Sequence, residues 1–232
     1  MDDSPAGECF GGFIGGLECS DVNIMIHQST NNKSVSGNNH VGGLIGIVEP
    51  SPKQSVTVSI INSANKGDIS ATNNTACGLF CVNGTKKDDL SITVMNSMNK
   101  GRVDGNTSGF GITNIVTRAN NVVSIGEVIG SSDAFTFWAM SIDVDMIYCM
   151  EGNCKRYDSC VTLFVCDNET KQFKGVEDGV QINRLLNEES KKQGYGMFWN
   201  NDLELVGKDQ KQDEDENSFH GKNGVDEKKI LQ

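Results

Sequence analysis

Few side chains in this 232-residue chain are arranged to do chemistry. The histidines His27, His40 and His220 are scattered, and none stands in a His-Glu-x-x-His metal motif. Neither a Gly-x-Ser-x-Gly elbow nor a phosphate-cradling Gly-Lys-Ser/Thr loop occurs. Eight cysteines group by proximity as Cys9 with Cys19, Cys77 with Cys81, and Cys149, Cys154, Cys160 and Cys166 together. Zinc sites use closely spaced pairs, Cys-x2–4-Cys, with a distant second pair. Cys149 and Cys154 supply one half, but Cys160 and Cys166 are too far apart for the other. All eight cysteines are therefore disulfide candidates, with two bridges expected in the C-terminal cluster and the connectivity open. Cys77 and Cys81 also read as buried thiols, with Cys81 standing where a repeated glycine belongs. No metal or other cofactor is expected.

One charged row has chemical interest. Asp68, Arg102 and Glu127 each follow an aligned glycine, so an acid, a base and an acid would stack about 5 Å apart at strand spacing. Polysaccharide lyases and hydrolases gather such groups on one face. Alternating charges on neighbouring strands also attract and fix register, and that is the reading adopted. The acids Asp213–Glu216 lack a formed calcium loop and read as a solvated tail.

The elements that would carry these residues repeat. Gly12-Phe13-Ile14-Gly15, Gly43-Leu44-Ile45-Gly46, Gly78-Leu79-Phe80-Cys81 and Gly111-Ile112-Thr113-Asn114 start 31, 35 and 33 positions apart. Ile60–Ala71 returns as Val94–Gly105, with weaker copies at Ile26–Gly37 and Ala119–Gly130. Val22, Ile24 and Ile26 match Val56, Val58 and Ile60, then Leu90, Ile92 and Val94. Their period of two marks strands with these side chains on one face. A unit this short cannot bury its apolar side alone, but stacked copies can. The inward ladders predicted are Val22/Val56/Leu90, Ile24/Val58/Ile92, Ile26/Ile60/Val94 and Val35/Ile69/Val103/Val128. Gln28, Asn62, Asn96 and Asn121 would form an amide ladder. Gly67, Gly101 and Gly126 fall where a turn would need positive φ.

The glycine-flanked aliphatic pairs resemble the GLUG repeat, over roughly residues 9–140. The third and fourth copies depart from it, with Cys81 and Asn114 in place of the closing glycine. The resemblance implies a β-solenoid of the kind found in secreted and surface proteins, adhesin-like ones and some cell-surface proteases among them. The expected fold is mainly β: a right-handed parallel β-solenoid (β-helix) of about four coils with a small α+β C-terminal cap. It divides as four repeats over 9–140, a cysteine-rich cap with one helix over 141–206, and a disordered charged tail over 207–232. The helix is predicted over 178–193, capped by Asp178 and ended by Gly194. It and a Trp-bearing strand around Phe198-Trp199 would cover the open end of the last rung.

Net charge is −11 without a basic patch, which argues against nucleic acid as a partner. No apolar run is long enough to span a membrane. Met1–Pro5 lacks the features of a signal peptide, so the chain is expected to be either intracellular or part of a longer protein. The abrupt first repeat near Cys9 favours a fragment or a truncated family member, with further repeats of a longer protein among the candidate partners. Clustered cysteines and the sequons at Asn32, Asn73, Asn83, Asn106 and Asn168, all glycosylation candidates, point to an extracellular or cell-surface setting. The function expected is non-catalytic adhesion or binding of a protein or glycan. The alternatives are a carbohydrate-active enzyme on the same scaffold and an intracellular scaffold.

Overall fold

A computed structural model describes residues 9–19, 22–50, 55–83, 90–150, 154–156, 170–173 and 176–207. The first repeat contributes β1 (Cys9–Gly11), β2 (Ile14–Cys19), β3 (Val22–His27), β4 (Thr30–Asn31) and β5 (Val35–Gly37). Next come β6 (His40–Gly42), β7 (Ile45–Pro50), β8 (Val56–Ile61), β9 (Ala64–Asn65) and β10 (Ile69–Ala71). The third set is β11 (Thr75–Cys77), β12 (Phe80–Val82), β13 (Leu90–Asn99) and β14 (Val103–Gly105). Then follow β15 (Ser108–Ser124), β16 (Val128–Gly130), β17 (Asp133–Met150), β18 (Cys154–Arg156) and β19 (Thr170–Phe173). Helix α1 (Val176–Gln193) and the strands β20 (Met197–Trp199) and β21 (Leu205–Gly207) complete the chain. The protein is mainly β with one helix.

Every described strand pair is parallel except the β20–β21 hairpin. Residues aligned by the sequence repetition face each other. Val22, Ile24 and Ile26 pair with Val56, Val58 and Ile60, which pair with Leu90, Ile92 and Val94. Val35, Ile69, Val103 and Val128 form a second continuous column. One sheet runs β18-β16-β14-β10-β5 and another β12-β7-β2, while β15 and β17 tie the largest sheet together. A core of Val56, Val58, Ile60, Ile92 and Val94 meets Leu44, Ile45, Leu79, Phe80 and Ile112 across the interior. Burying such side chains contributes about 1.5–3 kcal/mol each.

Four expectations change. Positive φ belongs to the amide residues Gln28, Asn62, Asn96 and Asn121, at 49°, 53°, 44° and 59°, and not to the repeated glycines. Those glycines serve close approach instead: a Cβ on Gly101 would lie 1.9 Å from Gly67 O, and one on Gly126 1.9 Å from Gly101 O. The boundary expected at residue 140 falls inside β17, and parallel pairing continues through β18 and β19. The helix starts at Val176, so Asp178 lies within its first turn and is not its cap; Gly194, at φ 71°, does follow its end. Finally, the helix and Trp199 pack along the flank of the stack and not over its last edge. Ile182, Leu186, Trp199 and Leu203 bury Ala64, Met98, Val123 and Tyr148, which are register partners on successive strands.

Residues 157–169 and 208–232, which include Cys160, Cys166, Asn168 and the charged tail, lie outside the described residues. The side chains of Cys19, Cys149 and Cys154 do too.

Candidate functional site

The corner Asn-Ser-x-Asn-Lys-Gly occurs at Asn62–Gly67 and Asn96–Gly101. Its first asparagine turns the chain through left-handed backbone that other L-residues resist and Asn tolerates. This points the amide along the stack. Asn96 Nδ2 donates to Asn62 Oδ1 at 2.7 Å, and Asn121 Nδ2 donates to Asn96 Oδ1 at 2.6 Å. Asn62 Nδ2 continues toward His27 Nε2 at 3.1 Å, while Gln28 shares the backbone conformation but is exposed.

Sequence reasoning missed two further polar columns, although the 34-residue spacing of Asn31, Asn65 and Asn99 was visible. Asn31 Nδ2 donates to Asn65 Oδ1 at 2.9 Å, and Asn65 Nδ2 donates to Asn99 Oδ1 at 2.8 Å. The same amides close local turns on Lys33 O, Gly67 O and Gly101 O. In the serine column, Ser63 Oγ accepts from Ser29 N at 3.3 Å and Ser97 Oγ accepts from Ser63 N at 3.1 Å. Each residue thus satisfies a neighbour one level away and a backbone group on its own level.

The C-terminal segment docks on this corner through the same groups. Asn96 Oδ1 also accepts from Trp199 Nε1 at 2.8 Å and from Ser190 Oγ at 2.9 Å. Asn121 Nδ2 donates to Leu186 O at 3.0 Å, and Asn62 Nδ2 donates to Tyr195 O at 2.6 Å. Asn187 pairs its amide with Trp199 N and O as a strand would. Glu204 meets Lys66 at 2.9 Å and Lys100 at 2.5 Å. Those two lysines hold its carboxyl below the usual range, against the opposing effect of burial. At the end of the amide ladder, buried Asn121 Oδ1 has no donor among the described residues. Asn120 and Val122 pair with Asp145 and Ile147, so the ladder position that follows is Met146, which carries no amide.

The fourth repeat is shorter, and two side chains stand in for missing backbone. Asn114 Oδ1 accepts from Val82 N at 2.7 Å while its Nδ2 donates to Val82 O at 2.6 Å. Thr117 Oγ1 likewise accepts from Ile92 N and donates to Ile92 O, both at 2.8 Å. Asn114, a departure from the glycine pattern, therefore has a definite role.

The charged row is only partly drawn together. Arg102 meets Glu127 at 3.5 Å and Asp104 at 2.8 Å, while Asp68 accepts from the backbone N–H of Arg102 at 2.9 Å. These groups are solvated, so their pairing contributes little to stability. Among the described residues, no three His, Cys, Asp or Glu side chains gather closely enough to hold a metal ion. Cys77 and Cys81 form a disulfide and are fully buried beside Phe110, so the buried-thiol reading of this pair is set aside. Asn32, Asn73 and Asn106 are exposed; Asn83 is exposed too and donates to Glu49.

The outward face of β3, β8, β13 and β15 carries short polar side chains on β8 and β13, with Met25 at one end of a row and Arg118 at the other. Asn23, Thr57 and Ser91 form one row, and Met25, Ser59, Thr93 and Arg118 another. Such rows offer hydroxyls spaced by the strand separation of about 4.8 Å in one direction and by about 6.8 Å along each strand. That arrangement suits recognition by multiple hydrogen bonds.

Comparison with protein-family models, with curated proteins and with solved structures gave no match.

Two outcomes follow from the corner. Asn96→Ala leaves Trp199 Nε1, Ser190 Oγ and the Asn121 amide without their shared acceptor. Chemical denaturation is expected to show a loss of about 3 kcal/mol or more, against about 1 kcal/mol for Asn31→Ala at the ladder's end. Because the carboxyl of Glu204 is held low in the folded state, its contribution is present above the unfolded value of about 4.3 and is lost as pH falls through the folded one. Glu204→Gln should therefore flatten the acid limb of the stability–pH curve below that value while leaving the Asn96 effect in place.

Proposed function

We propose that this chain is a secreted or surface-exposed repeat protein built as a right-handed parallel β-solenoid, non-catalytic, that binds a glycan or protein ligand through the flat face of β3, β8, β13 and β15. The observation that carries this reading is the continuous parallel register of equivalent residues across β3, β8 and β13. It makes the outward rows of Thr57, Ser59, Ser91 and Thr93 regular, rigid and preorganised. A preorganised hydroxyl array loses little entropy on binding a ligand with matching polar groups. In this reading the four coils over 9–140 are followed by a fifth level begun by β17, β18 and β19, and α1 with its hairpin is a lateral strap.

The Cys77–Cys81 disulfide and the exposed sequons support an oxidising, extracellular setting. The resemblance to GLUG repeats points the same way. The enzyme alternative has weaker support, because Arg102 is engaged by Glu127 and Asp104.

The test is a glycan array and a cell-surface binding assay with the whole chain. Thr57→Arg and Thr93→Arg should each lower binding at least tenfold without changing the unfolding midpoint, whereas Asp68→Asn should leave binding intact. Undiminished binding by both face variants would sink the proposed face. Glycan cleavage abolished by Asp68→Asn, Arg102→Ala or Glu127→Gln would replace this reading with the enzyme.

A further inference from the structure

We propose that the junction between the strap and the flat face is a subsite for an uncharged glycan, in which a pyranose ring stacks on Tyr195 while its hydroxyls reach Glu189, Ser59 and Thr93. The inference rests on the binding-face reading and names the ligand class of that face.

Tyr195 lies lengthwise along the face. It follows α1 after Gly194, which turns the chain at φ 71°. Its backbone carbonyl accepts from Asn62 Nδ2, just beyond the end of β8. Its hydroxyl donates to Asn120 Oδ1 on β15 at 3.3 Å and lies 3.5 Å from Met95 Sδ on β13. The side chain therefore crosses successive levels over the outward row Ile61, Met95 and Asn120. Met95 is 6% exposed beneath it, whereas Met25, in the adjacent row, is 67% exposed. That adjacent row continues with Ser59 and Thr93, both partly exposed. Tyr195 is thus a wall beside a floor of hydroxyls.

A carboxylate stands at the same junction. Glu189 on α1 is 8% exposed. Its Oε1 accepts from Gln193 Nε2 at 2.7 Å and its Oε2 from Lys192 Nζ at 3.2 Å, and the Asn120 side chain hydrogen-bonds it as well. Burial pushes its carboxyl up, but these hydrogen bonds outweigh that and hold it below its ordinary value. Two carboxylate oxygens offer about four acceptor sites, which leaves capacity for a ligand hydroxyl. Burial and the nearby Glu189 charge raise the Tyr195 phenol, against the effect of Arg118, so the phenol keeps its proton at neutral pH.

The chemistry of this junction selects the ligand class. A pyranose presents a C–H face and a rim of hydroxyls. An aromatic wall with a few fixed polar groups matches both. A protein partner would need apolar anchors, and Met25 is the large exposed apolar side chain in these rows. An acidic glycan is disfavoured by the net charge of −11 and by the Glu189 carboxylate.

The experiment titrates the full chain with soluble oligosaccharides of glucose, of mannose and of N-acetylglucosamine, followed by calorimetry and by proton NMR. At least one should bind and shift the Tyr195 ring resonances, which Tyr195→Phe identifies by their loss. Tyr195→Leu should weaken binding about tenfold, and Glu189→Gln by about tenfold or more. Tyr195→Phe, which keeps the ring, should weaken it less than Tyr195→Leu. Binding of none of these sugars, or of an acidic polysaccharide alone, would overturn the proposal. So would sugar binding that Thr93→Arg abolishes while Tyr195→Leu and Glu189→Gln leave it intact and the Tyr195 ring signals stay unmoved; that result would still preserve the face. Sugar binding unaffected by both Thr57→Arg and Thr93→Arg would instead contradict the binding face itself, so the two failures are distinguishable.

Discussion

The structure depends on satisfying buried side-chain amides one level apart. Asn62, Asn96 and Asn121 are 2%, 0% and 0% exposed. A buried amide without partners costs about 1–3 kcal/mol per unsatisfied group. Parallel strands set identical residues about 4.8 Å apart, a distance at which one amide can donate to the next. A slip of one residue would break that chain of donors and turn every aliphatic column toward water. Polar and apolar requirements therefore select the same register.

The corner couples this register to the rest of the fold. Positive φ at Asn62 and Asn96 aims the amide along the stack, and the glycine five residues later lets the next level approach closely. With the ladder in place, Asn96 Oδ1 becomes the common acceptor for Trp199 and Ser190, and the helix is held against the flank. Glu204 adds a bridge to the lysines of two successive corners. The C-terminal segment thus reads three repeats at once. Where the fourth repeat shortens, Asn114 and Thr117 replace backbone pairing with side-chain pairing.

Much of this was legible in the sequence. The period-two aliphatics and the recurrence of Ile60–Ala71 were sufficient to align Val58 with Ile92 and Ile69 with Val103, because stacked parallel strands put sequence-equivalent residues opposite each other. The conformational division of labour between Asn and Gly was not legible, since both residue types favour turns and only the stacking distance separates their roles. The strap's position was also hidden. Its helix shows ordinary amphipathicity, and the partner surface of Ala64, Met98, Val123 and Tyr148 has no distinctive motif until the strands are stacked. The outward hydroxyl face could be placed only after the register was known.

The central claim is that equivalent residues of successive repeats are direct neighbours in parallel register. Methyl–methyl nuclear Overhauser effects on a chain labelled at Ile, Leu and Val methyl groups test it most directly. The account requires cross-peaks linking Val56 to Leu90, Val58 to Ile92 and Ile60 to Val94. Cross-peaks displaced by one or two residues along either strand, or their absence in a folded sample, would contradict it.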